Sequence, residues 1–207
     1  MEMGGPLDDG GIAAGPDPFH LFDSWMKEAE RAEPGDPNAM ALATVGADGM
    51  PNVRMVLLKG ADANGFVFYS NAESIKGGEL AVHPKAAINF HWKSLRKAVR
   101  AQGTVAQVSD AEADAYFASR PKDSQIGAWA SPQSRAMEGR WVFEKRLAEY
   151  SLKYGLTKVP RPPYWTGWRL TPLRIEFWRD RPFRLHDRLV YARDNEAAPW
   201  RTERLFP

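Results

Sequence analysis

The chain contains no cysteine. Disulfides, thiolate metal sites, iron–sulfur clusters and a cysteine nucleophile are therefore excluded. Histidine is scarce, with four in 207 residues. His20, His83 and His91 are scattered, no HxxxH or HExxH spacing occurs, and the sequence predicts no metal site. The phosphate loops GxGxxG and GxxxxGK[ST] are missing, and so is GxSxG. Dinucleotide-binding, P-loop and serine-hydrolase readings fall with them. No charge excess exists either: 28 basic and 26 acidic side chains leave +2, too little for a general nucleic-acid binder. No apolar run reaches the length of a membrane span. The first residues lack the basic start and apolar stretch of a signal peptide. These absences predict a soluble cytoplasmic protein that engages neither nucleic acid nor membrane.

What is present is apolar and aromatic: 43% hydrophobic, 12% aromatic, enough for one sizeable core. Residues 1–17 are rich in Gly, Pro and Asp and are expected to form a flexible tail before a single domain over 18–207. Leu21, Phe22, Trp25, Met26 and Ala29 have helical spacing, which predicts a helix from Pro18 that ends before Pro34. Strands are predicted at Ala39–Val45, Val53–Lys59, Gly65–Ser70, Ala86–Trp92 and Ala98–Val108, with a loop over Gly60–Asn64. A short helix is predicted over Ser74–Val82. Ser109 and Glu112 form a capping-box pattern before the helix that carries Tyr116. Glu138–Tyr154 is expected to be a longer helix with Trp141, Leu147, Tyr150 and Tyr154 in its core face. Strands return at Thr166–Leu170, Arg174–Arg179, Leu185–Ala192 and Trp200–Leu205. Sequential hairpins with inserted helices predict an α+β class built on an antiparallel barrel.

Three groups of polar residues point to an anionic ligand. Tyr116 and Arg120 are four apart on a helix that Pro121 ends, and Ser124 opens the next segment. A phenol, a guanidinium and a hydroxyl at one junction are good donors for a phosphate; the competing reading is an ordinary amphipathic helix. Arg54 and Lys59 bracket a strand, but their odd spacing puts them on opposite faces. Arg184, His186 and Arg188 alternate and would share one strand face, with Trp178, Phe183 and Leu185 expected to be buried nearby. Donors without a nucleophile or a metal call for a cofactor to carry any chemistry.

Six ordered motifs carry a resemblance. RMVLLKG (Arg54–Gly60), GFVFYSN (Gly65–Asn71), SRPKDSQIGAWASPQS (Ser119–Ser134), PRPPYWTGWRL (Pro160–Leu170), IEFW (Ile175–Trp178) and RLHDR (Arg184–Arg188) follow one another. Together they resemble the FMN-dependent pyridoxamine/pyridoxine 5′-phosphate oxidases. The resemblance implies an FMN-binding split β-barrel of Greek-key type with peripheral helices. It also implies a homodimer with FMN at the interface. Arg54, Met55, Val56, Leu57, Leu58, Lys59, Tyr69, Ser70 and Lys76 would contact FMN, with Arg54 and Lys76 on its phosphate. Gln133, Ser134, Trp178 and Arg188 would reach it from the other subunit. Lys59, Tyr116, Arg120 and Ser124 would hold the phosphate of a B6 vitamer, while Arg184 and His186 hold its ring and serve the catalysis. The implied reaction oxidises pyridoxamine or pyridoxine 5′-phosphate to pyridoxal 5′-phosphate, with O2 as acceptor and hydrogen peroxide released. A related flavin oxidoreductase with another substrate, or a non-catalytic carrier of flavin or pyridoxal phosphate, are the alternatives. Two positions depart from the family pattern. Ile75 stands where an Arg is usual, and Ala98 where a Gln is usual. Losing one charged and one neutral contact would cost about 2–4 kcal/mol of FMN binding.

Overall fold

Asp17 starts the first helix by accepting a hydrogen bond from the Phe19 amide at 2.9 Å. The helix, α1 (Pro18–Ala32), buries Phe19, Phe22, Trp25 and Ala29 on one face. Around it the chain forms β1 (Ala39–Val45), β2 (Pro51–Leu57), β3 (Gly60–Asp62), β4 (Gly65–Asn71), α2 (Ile75–Val82), β5 (Lys85–Trp92) and β6 (Lys97–Gln107). Three helices follow: α3 (Asp110–Ser119), α4 (Lys122–Ala130) and α5 (Arg140–Tyr154). The chain ends with β7 (Trp165–Arg179), β8 (Asp187–Ala192) and β9 (Arg201–Arg204). This computed structural model describes residues 11–207.

All the strand pairs are antiparallel, in the order β2-β1-β5-β6-β7-β4-β3, with β8 and β9 added beside β7. The two ends of that order, β2 and β3, are consecutive in the chain. At their junction the Leu58 amide donates to Asn38 on the β1 side, and the Lys59 amide donates to Val67 of β4. The sheet therefore curls so that its two ends come together at this junction. The loop expected over Gly60–Asn64 thus contains strand β3.

α1 fills the barrel. Phe22 packs against Phe66 of β4 at 5.0 Å, edge-on, and against Phe90 of β5 at 5.2 Å. Trp25 meets Phe177 of β7 edge-on at 5.3 Å. A second, smaller core joins Phe117 of α3, Ile126 of α4, Tyr154 of α5 and Trp165 of β7. Trp141, expected in that core, is 62% exposed.

Two expected strands, Thr166–Leu170 and Arg174–Arg179, are one. Pro172 suggested a break, since proline cannot donate to a ladder. The pairing instead skips a residue there, with Gly103 opposite Pro172 and Gln102 opposite Arg174. This bulge absorbs the proline. It also needs Gly103, whose side-chain carbon would lie 2.0 Å from the Thr171 carbonyl oxygen.

Residues 11–17, expected as part of the tail, lie against the domain. Ile12 is buried in the core. The Gly15 amide donates to the Tyr191 hydroxyl at 2.9 Å, and that hydroxyl donates to the Gly15 carbonyl at 3.0 Å. Gly and Pro kept the segment out of any periodic pattern, yet one apolar side chain and one tyrosine suffice to dock it. Residues 1–10 of the expected tail lie outside the described residues.

The plug role of α1 is testable by urea denaturation. Phe22→Ala should lower stability by about 3–5 kcal/mol, the usual cost of a buried phenylalanine. A loss under about 1 kcal/mol would show that α1 is not part of the barrel core.

Candidate active site

Ser74 caps α2 and draws Lys76 inward. The Ser74 hydroxyl accepts from the Gly77 amide at 3.4 Å and donates to the Asn71 carbonyl at 2.7 Å. Gly77 allows the approach, because a side-chain carbon there would sit 2.1 Å from the Ala72 carbonyl oxygen. Lys76 is buried, and its Nζ donates to Ser70 at 2.8 Å, Gln133 Oε1 at 2.9 Å and Ser74 at 3.1 Å. All three acceptors are neutral. Among the described residues no carboxylate forms an ion pair with Lys76. Burial lowers its pKa to about 8, with Arg54 nearby adding to the effect.

Arg54 is differently placed. It ion-pairs with Glu79 at 3.0 Å and donates to Thr44. Glu79 also accepts from Asn52 at 3.0 Å and from the Thr44 hydroxyl. Burial opposes the charge on Glu79, yet the hydrogen bonds from Thr44 and Asn52, with the charge and hydrogen bond of Arg54, hold its carboxyl below the usual range. The guanidinium expected on a phosphate is thus fixed by a carboxylate three residues after Lys76. The rest of RMVLLK divides by strand alternation. Val56 is half-buried, while Met55 and Leu57 turn outward, at 64% and 39% exposed. Leu58 is in the core.

Arg120 and Ser124 face the Lys76 group. They line one cavity of about 370 Å³ with Tyr69, Ser70, Gln133 and Trp165. Arg120 caps α3, and Gln125 Nε2 donates to its carbonyl at 2.7 Å, fixing the junction with α4. Its guanidinium lies 5.0 Å from the Trp165 ring centroid. Nη1 is buried with no hydrogen-bond partner, alone in this among the described side chains. Burial lowers the Arg120 pKa, which tells the same story of an uncompensated cation. Tyr116 lies close enough for its phenol to act on Arg120, opposing burial, while its ring is engaged elsewhere. It stacks on Tyr69 at 4.0 Å, and Tyr69 stacks on Trp165 at 5.2 Å. Burial, then the Glu112 carboxylate, pushes the Tyr69 phenol up to about 12. Glu112, the expected capping-box partner, instead pairs with Arg169 at 3.0 Å.

The remaining candidates lie elsewhere. Lys59 is exposed and lines a cavity beneath α1 with Asp23, Glu30 and Asn38. β2 ends at Leu57 rather than at the expected Lys59, so Lys59 and Arg54 are parted by the chain leaving the strand and meet different surroundings. Gln133 belongs to the Lys76 group of its own chain, where the resemblance implied a reach into the other subunit. Ser134, with φ 70, turns away and lines a cavity over α5 with Trp141 and Arg146.

Trp178, Arg184, His186 and Arg188 gather at the far end of β7. The expected common strand face does not form. Phe183 and Arg184 have φ of 58 and 61, so the chain turns there and β8 begins only at Asp187. Phe183 and Leu185 are exposed, at 93% and 66%, rather than buried. His186 packs on Trp178 with ring centroids 4.9 Å apart. Arg188 is held by Glu176 at 2.8 Å and by the Phe206 carbonyl at 3.0 Å. Glu176 and Glu79 border the candidate site and were missed by motif spacing; Glu176 is buried and Glu79 half-buried, and each faces an arginine, a signal visible only once the fold is known.

The donor set fits two phosphate groups. Lys76 with Ser70 and Ser74 would accept one, and Arg120 with Ser124 the other, each cation buried without a counter-charge. Ile75, on the first turn of α2, is 56% exposed. Ala98 sits opposite Trp178 across the β6–β7 ladder.

Residues 26–154 match the family model for pyridoxamine 5′-phosphate oxidase, and residues 165–207 match that for the pyridoxine 5′-phosphate oxidase C-terminal dimerisation region. A pyridoxine/pyridoxamine 5′-phosphate oxidase of Azorhizobium caulinodans is 60% identical over 207 residues, covering all of this chain and 98% of that protein. The crystal structure of PhzG from Burkholderia lata, in complex with tetrahydrophenazine-1-carboxylic acid, superposes with a TM-score of 0.87 at 30% identity and 98% coverage of both chains. A pyridoxamine 5′-phosphate oxidase-related, FMN-binding protein from Nostoc punctiforme shares the fold, with a TM-score of 0.75 at 18% identity over 94% of this chain and all of that one. No described helix is long and apolar enough to cross a membrane. The sequence motifs, the curled antiparallel barrel and these matches agree: the chain is an enzyme of the pyridoxamine 5′-phosphate oxidase family, with that family's split-barrel fold and dimerisation region.

Proposed function

We propose that this chain acts as a homodimer that binds FMN and oxidises pyridoxamine 5′-phosphate, pyridoxine 5′-phosphate or both to pyridoxal 5′-phosphate, with O2 as acceptor and hydrogen peroxide as by-product. The observation that carries the reading is the buried, unpartnered Nη1 of Arg120 beside Ser124, in a cavity bordered by the Lys76 group. A buried cation without a partner costs stability unless a ligand supplies the anion.

The residues divide the work. Lys76, Ser70 and Ser74 would hold the FMN phosphate, and Gln133 closes that site. Arg120 and Ser124 would hold the substrate phosphate, which fixes the ring at a set distance from the flavin. When bound, FMN takes up the two electrons of the oxidation and passes them to O2. Arg184 and His186 would orient the substrate ring, with Trp178 behind the imidazole and Arg188 beside it.

A dimer is needed to bring these groups together. Trp165 and Trp178 are thirteen residues apart on β7. At roughly 3.3 Å per residue the two clusters lie on the order of 40 Å apart along the strand. One small ligand cannot touch both ends within a chain. A second copy can present its Trp178 end to the Lys76 end of the first, which gives the dimerisation region a catalytic purpose. The likeness to PhzG motivates a second reading, a flavin oxidoreductase for a substrate without phosphate. That reading leaves Arg120 and Ser124 without a role.

Two measurements test this directly. The purified protein with FMN should form pyridoxal 5′-phosphate and peroxide from at least one of the two substrates, and no turnover at saturating FMN would sink the proposal. Arg120→Ala should raise KM roughly ten- to hundredfold, the usual worth of a charge-assisted phosphate contact; an unchanged KM would favour the second reading.

The Lys76 site makes a pH-dependent prediction. Its folded pKa, about 8, lies below the unfolded value near 10.5. Between those values the unfolded chain binds more protons, so stability rises with pH across that window. Without FMN, the melting temperature of the wild type should climb relative to Lys76→Met from pH 8 towards 10. Parallel curves would show that Lys76 is not a strained cation.

The two phosphate-site positions also differ in depth. Ile75→Arg adds a cation at an exposed position and should tighten FMN less than about tenfold. Lys76→Met removes a buried one and should weaken FMN more than tenfold. Fluorescence titration of FMN decides, and the reverse order would overturn the assignment of Lys76 as the main anchor.

A further inference from the structure

The turn after β7 carries Asp180, which the oxidase reading leaves unused and which joins Arg96 to His186. Asp180 docks by its backbone, its amide donating to the Arg96 carbonyl at 2.9 Å. Arg96 closes the tight turn between β5 and β6 with φ 54. The Asp180 carboxylate then divides its oxygens. Oδ2 accepts from Arg96 Nε at 2.6 Å and from the neighbouring Nη2. Oδ1 lies 2.8 Å from His186 Nδ1. The left-handed residues Phe183 and Arg184 make this meeting possible, because they fold the chain back so that residue 186 reaches residue 180.

One nitrogen of His186 receives two opposite demands. The Arg181 amide also points at Nδ1, at 3.4 Å, and would need a lone pair there. The carboxylate needs a hydrogen. The carboxylate contact is shorter and charge-assisted, so it wins, and Nδ1 carries the hydrogen. In the neutral ring Nε2 is then left bare, as an acceptor. The ring face is fixed at the same time by Trp178. Asp180 and His186 are both largely shielded, whereas Arg96 stands at the surface.

We propose that Asp180 is a positioning residue for His186: it sets the Nδ1–H tautomer and the ring orientation, so that a bare Nε2 faces the substrate. Arg96, carried by a different hairpin, holds the carboxylate in place. Such an Nε2 accepts a hydrogen from the substrate, matching the hydroxyl or ammonium hydrogen at the carbon to be oxidised or the ring hydroxyl beside it. The inference rests on the oxidase reading above for its catalytic consequence, but not for its structural content.

The test uses full-length protein loaded with FMN, labelled with 15N-histidine. Long-range 1H–15N spectra report the tautomer of each ring, and His186→Gln assigns the resonance. The wild type should show the Nδ1–H form at His186. Asp180→Ala and the isosteric Asp180→Asn should both shift it towards Nε2–H, with melting temperature and FMN affinity little changed. Their kcat should fall roughly ten- to hundredfold, the range typical when a partner that orients a histidine is removed, while KM changes less. Arg96→Ala, at an exposed pair, should lower kcat less than about fivefold. Asp180→Glu should restore part of the loss. An Nε2–H ring in the wild type, or the same tautomer in wild type and both Asp180 variants, overturns the proposal. So does a kcat within twofold of wild type in both variants. If the wild type oxidises neither substrate, the oxidase reading fails, and the tautomer measurement still decides the role of Asp180.

Discussion

β7 hydrogen-bonds to β6 along most of its length, to β4 over its first half and to β8 over its second, and the barrel cannot close without it. The same strand carries Trp165 at its start, under the stacked Tyr69 and Tyr116, and Trp178 at its end, under His186. Its length is set by sheet closure, and that length separates the two groups of polar residues. A strand this long buried in a barrel is rigid, so the groups cannot approach by bending. The bulge opposite Gly103 is the one concession, and it re-aims the strand without breaking it. On the proposed reading, assembly is the remaining way to join the two groups, and dimerisation and catalysis are one structural problem.

The electrostatics follow a similar division. Arg54 is neutralised within the chain by Glu79, while among the described residues neither Lys76 nor Arg120 forms an ion pair with a carboxylate, and burial outweighs the distant attraction of Glu79 for Lys76. A buried lysine and a half-buried arginine without paired carboxylates are costly, and burial moves the pKa of both downward. A protein selected only for stability would lose them. Arg161 makes the contrast: Asp110 and Asp114 both pair with it, its pKa is raised, and it ties α3 to the start of β7 as a structural anchor. Arg161 shows what full pairing does to an arginine, and Arg120 shows the opposite case.

Much of the architecture was legible in the sequence because hydrophobic period and turn chemistry are local. α1, α2, β1 and the Ser109 cap follow from residues within one or two turns of each other. The errors arose where a distant partner decided. Pro172 stays in a strand because β6 supplies Gly103 opposite it. Ile12 is ordered because the barrel offers a place for it. Alternation could not reveal that Phe183 and Arg184 adopt left-handed backbone, so the expected face of Arg184, His186 and Arg188 was not formed. For the candidate site, the meeting of Arg120 and Ser124 in one cavity was readable from their position around Pro121. Glu79, Glu176 and Asp180 were not, since an acid opposite an arginine is unremarkable until the fold brings them together.

The departures at Ile75 and Ala98 look different once depth is known. An arginine at position 75 would stand on the exposed first turn of α2, where an ion pair is worth about 0–1 kcal/mol. At 4 Å the attraction between two charges is about 1 kcal/mol in water but about 4 kcal/mol at the effective dielectric near a protein surface. Lys76 occupies the shielded side of that gradient, and its three oxygen partners leave its charge intact for an anion. The missing arginine therefore removes the cheaper of two cations. At position 98 the neighbours matter more than the side chain. Lys97 is committed to Glu28 at 2.6 Å and to the Trp25 ring, which anchors this end of β6 to α1. A small residue beside it leaves space against Trp178, the residue on which His186 leans. On the proposed reading, the charged part of the roughly 2–4 kcal/mol expected from counting lost contacts is an upper bound, because position 75 is open to solvent.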